Sequence, residues 1–262
     1  MGCMLCPRRC GADRKSGQRG ACGMADKIII ARVAPHMWEE PPVSGVRGSG
    51  TVFFSGCPLG CVFCQNKAIS RCGNGREVSE ARLGEIFLGL QNIGVHNINL
   101  VTPTHFSDRI ASVLEKVKPC LNIPVVYNCG GYERVEYLRT LDGLVDVYLP
   151  DFKYFSPDIA GKYSSVPDYF EVASTAICEM YRQTGAVRFD ENGIIERGLI
   201  VRHLVLPGCR RDSEAVLREL AGLVPVEDIR LSLMSQYTPE YIKDCGFPEL
   251  ERMVTTFEYN YV

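Results

Sequence analysis

Short apolar segments alternate with longer amphipathic segments along most of the chain after residue 50. The apolar segments predict strands near residues 51–56, 97–102, 124–128, 145–150, 199–206 and 229–234. The amphipathic segments predict helices over residues 78–93, 106–118, 133–141, 167–184 and 213–223. Strands and helices that alternate in this way are typical of an α/β fold with a parallel sheet. Because six repeats are fewer than the eight that close a barrel, we predict a partial (β/α)6 TIM-like barrel.

The first fifty residues follow a different pattern. They open with a segment rich in Cys, Arg and Gly and continue as KIIIARVAPHMWEEPPVSGVRGSG, which predicts one strand near residues 27–34 before a connection rich in Pro and Gly. We therefore divide the chain into a Cys-rich N-terminal extension over residues 1–50, with a predicted metal site, and a barrel core over residues 51–262.

The composition narrows the functional classes. Of the 262 residues, 46% are hydrophobic, which is enough for a large buried core. The formal net charge of -2 gives no reason to expect nucleic acid or an anionic membrane as a partner. No apolar run reaches the roughly 18 residues that cross a bilayer, and the N-terminus lacks the apolar core of a signal peptide. We predict a cytoplasmic protein whose 13 cysteines serve as metal ligands or catalytic thiols rather than as disulfides.

The segment FFSGCPLGCVFCQN places Cys57, Cys61 and Cys64 at the end of the first predicted barrel strand. In parallel α/β folds this end of the strands carries the chemistry. Structural zinc takes four protein ligands, whereas an iron–sulfur cube held by three thiolates leaves one iron open to an external ligand. Gly56 and Gly60 permit the tight loop that a cluster requires. Zinc with a distant fourth ligand and reduced structural thiols are the alternatives.

The spacing C-x3-C-x2-C, with the aromatic Phe63 just before the third cysteine, resembles the signature of the radical S-adenosylmethionine (SAM) superfamily. The resemblance implies that Cys57, Cys61 and Cys64 are catalytic ligands of a 4Fe-4S cluster, with Phe63 beside the cofactor. The amino and carboxylate groups of SAM would bind the open iron, and reductive cleavage of SAM would give a 5′-deoxyadenosyl radical that abstracts hydrogen. It also implies an electron donor of the flavodoxin or ferredoxin type.

Within that superfamily the chain is most similar to relatives of the pyruvate formate-lyase activating enzyme. The segments PVVYNCGGY and VDVYLPDFKY resemble its third and fourth strands, and IVRHLVLPG and LSLMSQY resemble its fifth and sixth strands. The resemblance implies cofactor-binding roles for Asn128, Asp151, Lys153, Arg202 and Gln236, with Arg202 facing the SAM carboxylate. For the charged residues, the alternative is a structural ion pair.

The sequence departs from the superfamily after the second barrel strand. Most relatives carry Gly-Gly-Glu there to bind the SAM amino group, whereas this chain reads NLVTPTHF. We predict that Thr102, Thr104 and His105 supply the contact through hydroxyls or backbone carbonyls. A buried or surface imidazole with no cofactor contact is the alternative for His105.

The segment HMWEE lies upstream of the triad and combines His36 with Glu39 and Glu40. These residues are either solvated charges or a gate that folds over the barrel mouth and contacts the substrate.

The N-terminus holds a second group of cysteines, with the spacing Cys3-x2-Cys6-x3-Cys10-x11-Cys22. Four thiolates at such spacing fit either zinc or a second iron–sulfur cluster. Reduced, disordered thiols are the alternative. Because four thiolates leave no iron open, this group cannot replace the triad. The arginines between these cysteines would present a cationic face, and they are Arg8, Arg9, Arg14 and Arg19.

The remaining cysteines are scattered, and we interpret them as packing or surface thiols: Cys72, Cys120, Cys129, Cys178, Cys209 and Cys245. For Cys129, which ends the third predicted barrel strand, a thiol close to the cofactor or one that quenches radicals is the alternative. The sequence as a whole predicts a radical SAM enzyme. It either activates a glycyl radical enzyme, by taking hydrogen from a backbone glycine of a protein partner, or modifies a peptide or small molecule. A non-catalytic adaptor, binding zinc or iron–sulfur on a degenerate barrel, is the alternative from another class.

Overall fold

The computed structural model describes residues 2–242 and 246–262, so the predicted packing of Cys245 lies outside the described residues. The strands are β1 (Ile28–His36), β2 (Ser49–Phe54), β3 (Arg76–Val78), β4 (Ile98–Val101), β5 (Val125–Cys129), β6 (Val147–Pro150), β7 (Arg188–Phe189), β8 (Ile195–Leu204) and β9 (Arg230–Met234). The α-helices are α1 (Pro41–Ser44), α2 (Lys67–Ser70), α3 (Glu80–Asn92), α4 (Ser107–Val117), α5 (Val135–Leu138), α6 (Pro157–Ser164), α7 (Tyr169–Thr184), α8 (Arg210–Leu223) and α9 (Thr256–Tyr261). Among the described residues, no helix combines the length and the apolar character that a bilayer crossing needs.

The six predicted barrel strands all form, and they lie side by side. β2, β4, β5, β6, β8 and β9 pair in parallel in that order. The free edge of β2 is covered by β1, which runs antiparallel to it, and β3 follows β1. Within the part of the chain that the structure describes, β2 therefore does not meet β9. The fold is an open, partial barrel in an α/β protein, as the sequence predicts.

The helices pack on the outside of this sheet, and alternate residues of each strand point to opposite faces. On β5, Tyr127 packs among the side chains that face the helices, whereas Val126 belongs to a small apolar cluster inside the barrel. Four of the five predicted helices form nearly as predicted. The fifth, over residues 133–141, is a single α-turn followed by the 3-10 turn Arg139–Leu141.

The amino-terminal end of the barrel is closed by the chain itself. β1 ends beside the start of β2, because His36 pairs with Ser49, and α1 lies in the connection between them. Val43 of α1 is fully buried in the interior apolar cluster, and its carbonyl accepts a hydrogen bond from Asn97 at 2.7 Å. The open end of the barrel is therefore the carboxyl end of its strands.

The N-terminal extension does not form a separate layer. Its strand near residues 27–34 is present as β1, which belongs to the same sheet as the barrel strands. The earlier part of the extension lies against the carboxyl end of β2, where the backbone N–H of Cys57 donates to the carbonyl of Cys22 at 3.2 Å. The extension thus reaches the end of the barrel where the triad lies.

Candidate active site

The three triad cysteines lie on residues 55–64, here called the triad loop, which follows β2 directly. Gly56 and Gly60 have φ angles of 88° and 75°, which favour glycine. A Cβ atom on Gly56 would lie 2.6 Å from the carbonyl oxygen of Cys22. Both the turn and the close approach of the extension therefore require glycine at position 56.

The triad sulfurs differ in their surroundings. Ser164 Oγ donates to Cys61 Sγ at 3.0 Å, and Cys64 Sγ lies 3.4 Å from Ser70 Oγ. Burial, followed by the charge of Cys61, raises the pKa of the Cys57 thiol to about 12. In the ranges 2–242 and 246–262, no three His, Cys, Asp or Glu side chains are placed so that they could hold a metal ion. Three thiols on one loop at the open end of the barrel are a donor set that suits a cluster in which each thiolate binds its own iron.

Two arginines fix the path of the triad loop by binding three successive carbonyls. Arg8 donates to the carbonyl oxygens of Pro58 and Leu59 at 2.8 and 2.9 Å, and Arg71 donates to that of Gly60. Arg8 also donates to two carbonyls at the end of α6, at 3.0 and 2.6 Å. Arg8 therefore points into the protein, and the predicted cationic face does not include it.

Four of the predicted cofactor-binding residues meet in one network at the carboxyl ends of β5, β6 and β8. Asp151 accepts hydrogen bonds from Lys153 at 2.5 Å and from Arg202 at 2.9 Å. Arg202 also donates to Asn128 Oδ1 at 2.7 Å. Against the effect of burial, the negative charges of Asp151 and Cys61 raise the pKa of Lys153, and Arg202 lowers the pKa of Asp151. The network thus keeps an ammonium group close to the triad.

Glu39 joins this network from the amino-terminal side of the barrel. Its carboxylate accepts hydrogen bonds from Arg202 at 3.0 Å, Asn128 at 2.9 Å and Asn99 at 3.1 Å. Neither interpretation of HMWEE describes this position, because Glu39 is neither solvated nor folded over the mouth. It enters from the closed end, ahead of α1, and balances the second cation of the network.

The segment TPTHF follows β4, where most relatives carry Gly-Gly-Glu, and it binds a buried carboxyl group. Thr102 has a φ angle of 55°, rare for a β-branched residue, and its N–H donates to the carbonyl of Asn128 at 2.8 Å. Thr104 Oγ1 donates to Glu133 at 2.5 Å, and Tyr127 donates to the same carboxyl group at 3.2 Å. Burial raises the pKa of Glu133 to about 7, although these hydrogen bonds oppose the shift. Thr104 therefore supports Glu133 in this structure.

His105 is buried between the extension and the triad loop. Its Nε2 lies 2.7 Å from the carbonyl oxygen of Ser55, so Nε2 carries the proton. Burial lowers the pKa of His105 to about 4, so the ring is neutral. Its Nδ1 is buried and has no hydrogen-bond partner in the described part of the chain. His105 thus braces the start of the triad loop.

Phe63 and Gln236, the remaining predicted cofactor-binding residues, lie outside the network of Asp151, Lys153, Arg202 and Asn128. Phe63 packs edge-to-face on Tyr237 with ring centroids 6.2 Å apart, and the Tyr237 hydroxyl donates to the carbonyl of Leu250 at 2.7 Å. Gln236 follows β9 and is exposed. Tyr237 therefore supports the triad loop through Phe63.

The four N-terminal cysteines form a group that touches the triad loop. A Cβ atom on Gly20 would lie 3.1 Å from Cys10 Sγ and 3.7 Å from Cys22 Sγ, so both sulfurs face this glycine. Burial, followed by the charge of Cys22, raises the pKa of Cys6 to about 12. Although burial opposes the shift, hydrogen bonds from the backbone of Ala12 and Ala21, followed by a side-chain hydrogen bond with Cys3, lower the pKa of Cys10, so Cys3 lies close to Cys10. All four side chains thus lie in one region.

Sequence reasoning missed three contributors to this site, which are Arg8, Arg71 and Glu133. Arg8 and Arg71 carry no pattern that separates them from surface arginines, since their partners are backbone carbonyls. Glu133 did leave a signal, because it is an acidic residue that follows Gly130 and Gly131 in the loop after β5.

Comparison with known proteins gives a family. Residues 51–184 match the description of the radical SAM superfamily. The chain is 28% identical over 263 residues to uncharacterized protein MJ0674 of Methanocaldococcus jannaschii, covering 97% of this chain and 70% of that protein. Among solved structures, methylornithine synthase (PylB) superposes with a TM-score of 0.47 and 15% identity, covering 68% of this chain and 50% of the synthase, so this chain spans half of the synthase's length.

Proposed function

Because this chain belongs to the radical SAM superfamily, we propose that it cleaves SAM reductively at a 4Fe-4S cluster bound by Cys57, Cys61 and Cys64. The bound cluster and SAM would supply a 5′-deoxyadenosyl radical that abstracts hydrogen from the substrate. The observation that carries the proposal is the position of the triad at the open end of the barrel, beside a buried network of Asp151, Lys153, Arg202 and Asn128.

The roles of the chain's own groups follow from their charges. Lys153 interacts electrostatically with Cys61 and is paired with one carboxylate, so it is the cation placed to hold an anionic group of the cofactor near the triad. Arg202 is shared by Asp151 and Glu39 and keeps Asp151 ionised. Ser164 and Ser70 would donate to triad thiolates and steady their orientation.

Three finer proposals concern the substrate, the electron donor and the N-terminal cysteines. The resemblance of the segments around Asp151 and Lys153 to the activating enzyme supports hydrogen abstraction from a backbone glycine of a partner protein. A flavodoxin or ferredoxin in the cytoplasm would supply the electron. We also propose that the N-terminal cysteines bind metal, because four thiols within one region are suited to little else.

The test is formation of 5′-deoxyadenosine. Protein reconstituted anaerobically with iron and sulfide, then given SAM and dithionite, should release the nucleoside. Cys57→Ser should abolish it, whereas Cys72→Ser, which changes an exposed thiol outside both cysteine groups, should not. An iron-loaded wild type that releases no nucleoside would contradict the proposal, and a zinc protein without iron would favour the adaptor.

The substrate class has its own experiment. Deuterium-labelled cell extract is separated into protein and small-molecule fractions, and each is incubated with the active enzyme and SAM. The activating role predicts that deuterium enters 5′-deoxyadenosine from the protein fraction. Transfer from the small-molecule fraction alone would rule that role out and leave the radical chemistry intact.

A further inference from the structure

We propose that the N-terminal cysteine group, Cys3, Cys6, Cys10 and Cys22, binds a second iron–sulfur cluster that passes single electrons to the cluster of the triad. This inference rests on the proposed function of the triad. It deepens that function by assigning a route for the electron.

The first argument is a buried positive charge. Arg14 is 6% exposed, and its guanidinium donates to the carbonyls of Ala25 at 2.7 Å and His105 at 2.7 Å. In the chain described here, it makes no ion pair with a carboxylate. Within residues 2–242 and 246–262, its one contact that can carry negative charge is Cys3 Sγ at 3.8 Å. A buried guanidinium needs a counter-charge, and metal-bound thiolates in this group would provide it.

The second argument concerns the kind of metal. Four thiolates suit either one zinc ion or a 4Fe-4S cluster, and Cys10 Sγ and Cys22 Sγ both face Gly20. Zinc has no redox chemistry, whereas an iron–sulfur cluster can carry the single electron that the cluster of the triad needs. A position beside the triad therefore favours the iron–sulfur cluster.

The third argument is contact between the groups. The N–H of Cys57 donates to the carbonyl of Cys22 at 3.2 Å, which joins a ligand of one group to a ligand of the other. A second link runs through side chains, since Arg14 contacts Cys3 and the carbonyl of His105, whose ring donates to Ser55 at the start of the triad loop. Two metal centres held this way would be neighbours, with protein atoms packed between them.

The step transfers electrons only. A one-electron donor of the flavodoxin or ferredoxin class is oxidised by one electron, and the cluster of the N-terminal group is reduced by one. That cluster then returns to its oxidised state as the cluster of the triad gains the electron. No bond forms or breaks until SAM is cleaved.

Metal analysis of the reconstituted wild type is the first test. Two 4Fe-4S clusters predict about eight iron and eight sulfide per chain and no zinc. Cys10→Ser changes an exposed ligand and should reduce the iron to about four, whereas the double control Cys72→Ser with Cys120→Ser should keep it. About four iron with one zinc in the wild type would overturn the proposal, and this result needs no variant to fold.

Electron paramagnetic resonance tests the relay. Two adjacent reduced clusters should couple magnetically and broaden the wild-type spectrum, and Cys10→Ser should show the sharper spectrum of one isolated cluster. Reduction of the triad cluster by reduced flavodoxin should be slower in that variant. Two uncoupled signals in the wild type, or equal reduction rates, would overturn the relay.

Failure of the relay can be distinguished from failure of the proposed function. If the N-terminal group holds zinc, dithionite and SAM should still yield 5′-deoxyadenosine, and only the relay fails. If the triad binds no iron, the proposed function fails, whatever the N-terminal group contains.

Discussion

Arg202 is shared among three acceptors, and two of them are carboxylates, on Asp151 and Glu39. Its side chain is 15% exposed, so these contacts are weakly screened by water. Removing one member of such a group leaves a buried charge without its partner, which typically costs about 3–5 kcal/mol. The identity of Glu39 therefore matters to the cofactor network although it lies on the closed side of the barrel.

A double-mutant cycle measures this coupling. Glu39→Gln and Arg202→Gln should each lower the free energy of unfolding in urea, and the double variant should lose less than their sum, with a coupling of about 1–3 kcal/mol. Glu40→Gln is the matched control, because within the described residues Arg202 donates no hydrogen bond to Glu40 and interacts with it only through longer-range charge, so its coupling to Arg202 should be smaller. Additive effects would show that the two side chains do not depend on each other.

His105 gives a prediction about pH. The unfolded imidazole binds a proton below its ordinary pKa of 6.5, whereas the folded ring stays neutral until about 4. The unfolded state thus binds more protons in this window, so the folded protein loses stability as pH falls from 6.5 towards 4, by roughly 3 kcal/mol in all.

His105→Gln keeps a donor for Ser55 and cannot titrate. Urea unfolding of the metal-free protein across this pH range should therefore show a shallower loss for the variant than for the wild type. Parallel curves would mean that the pKa of His105 is the same in the folded and the unfolded state.

The sequence identified four of the network residues but not their fifth partner. Asn128, Asp151, Lys153 and Arg202 follow successive strands, whose carboxyl ends meet in any parallel barrel. Glu39 is separated from Arg202 by 163 positions, and its segment carries no periodicity that would show it entering the closed end. Its contact could be found only from the path of β1 and α1.

At the scale of elements, the triad loop owes its shape to Arg8 of the extension. Arg8→Met removes hydrogen bonds from a charged donor to two loop carbonyls, each worth about 1.5 kcal/mol or more, so iron should be lost from the triad at least about tenfold faster. Arg9→Met removes the same charge from the adjacent, exposed residue and should leave retention unchanged. Iron content after repeated desalting decides this, and equal losses in both variants would contradict the role of Arg8.

The predictability of the elements depended on their length and burial. Barrel strands with a continuous apolar run were the most predictable, as in VVYNC of β5, which is buried throughout. β3 reads REV and is largely exposed, and α6 holds a glycine and a serine-rich end, so neither has a clear period. These short elements exist because tertiary contacts hold them.

At the scale of the whole molecule, the extension and the barrel depend on each other. The predicted boundary at residue 50 falls inside β2 (Ser49–Phe54), and β1 pairs along almost all of that strand. Composition marked the extension as different but could not show that it completes the sheet and covers the triad loop. The triad, its arginines and its second group of cysteines therefore form one assembly.

The central claim is that the triad holds a cluster with one iron open to SAM. Electron–nuclear double resonance on the reduced protein, with SAM isotopically labelled in its amino nitrogen or its carboxylate oxygen, tests this directly. We predict hyperfine coupling of both labels to the cluster, in the wild type and in Cys72→Ser. A reduced cluster that shows no hyperfine coupling to either the amino nitrogen or the carboxylate oxygen of SAM would contradict the account.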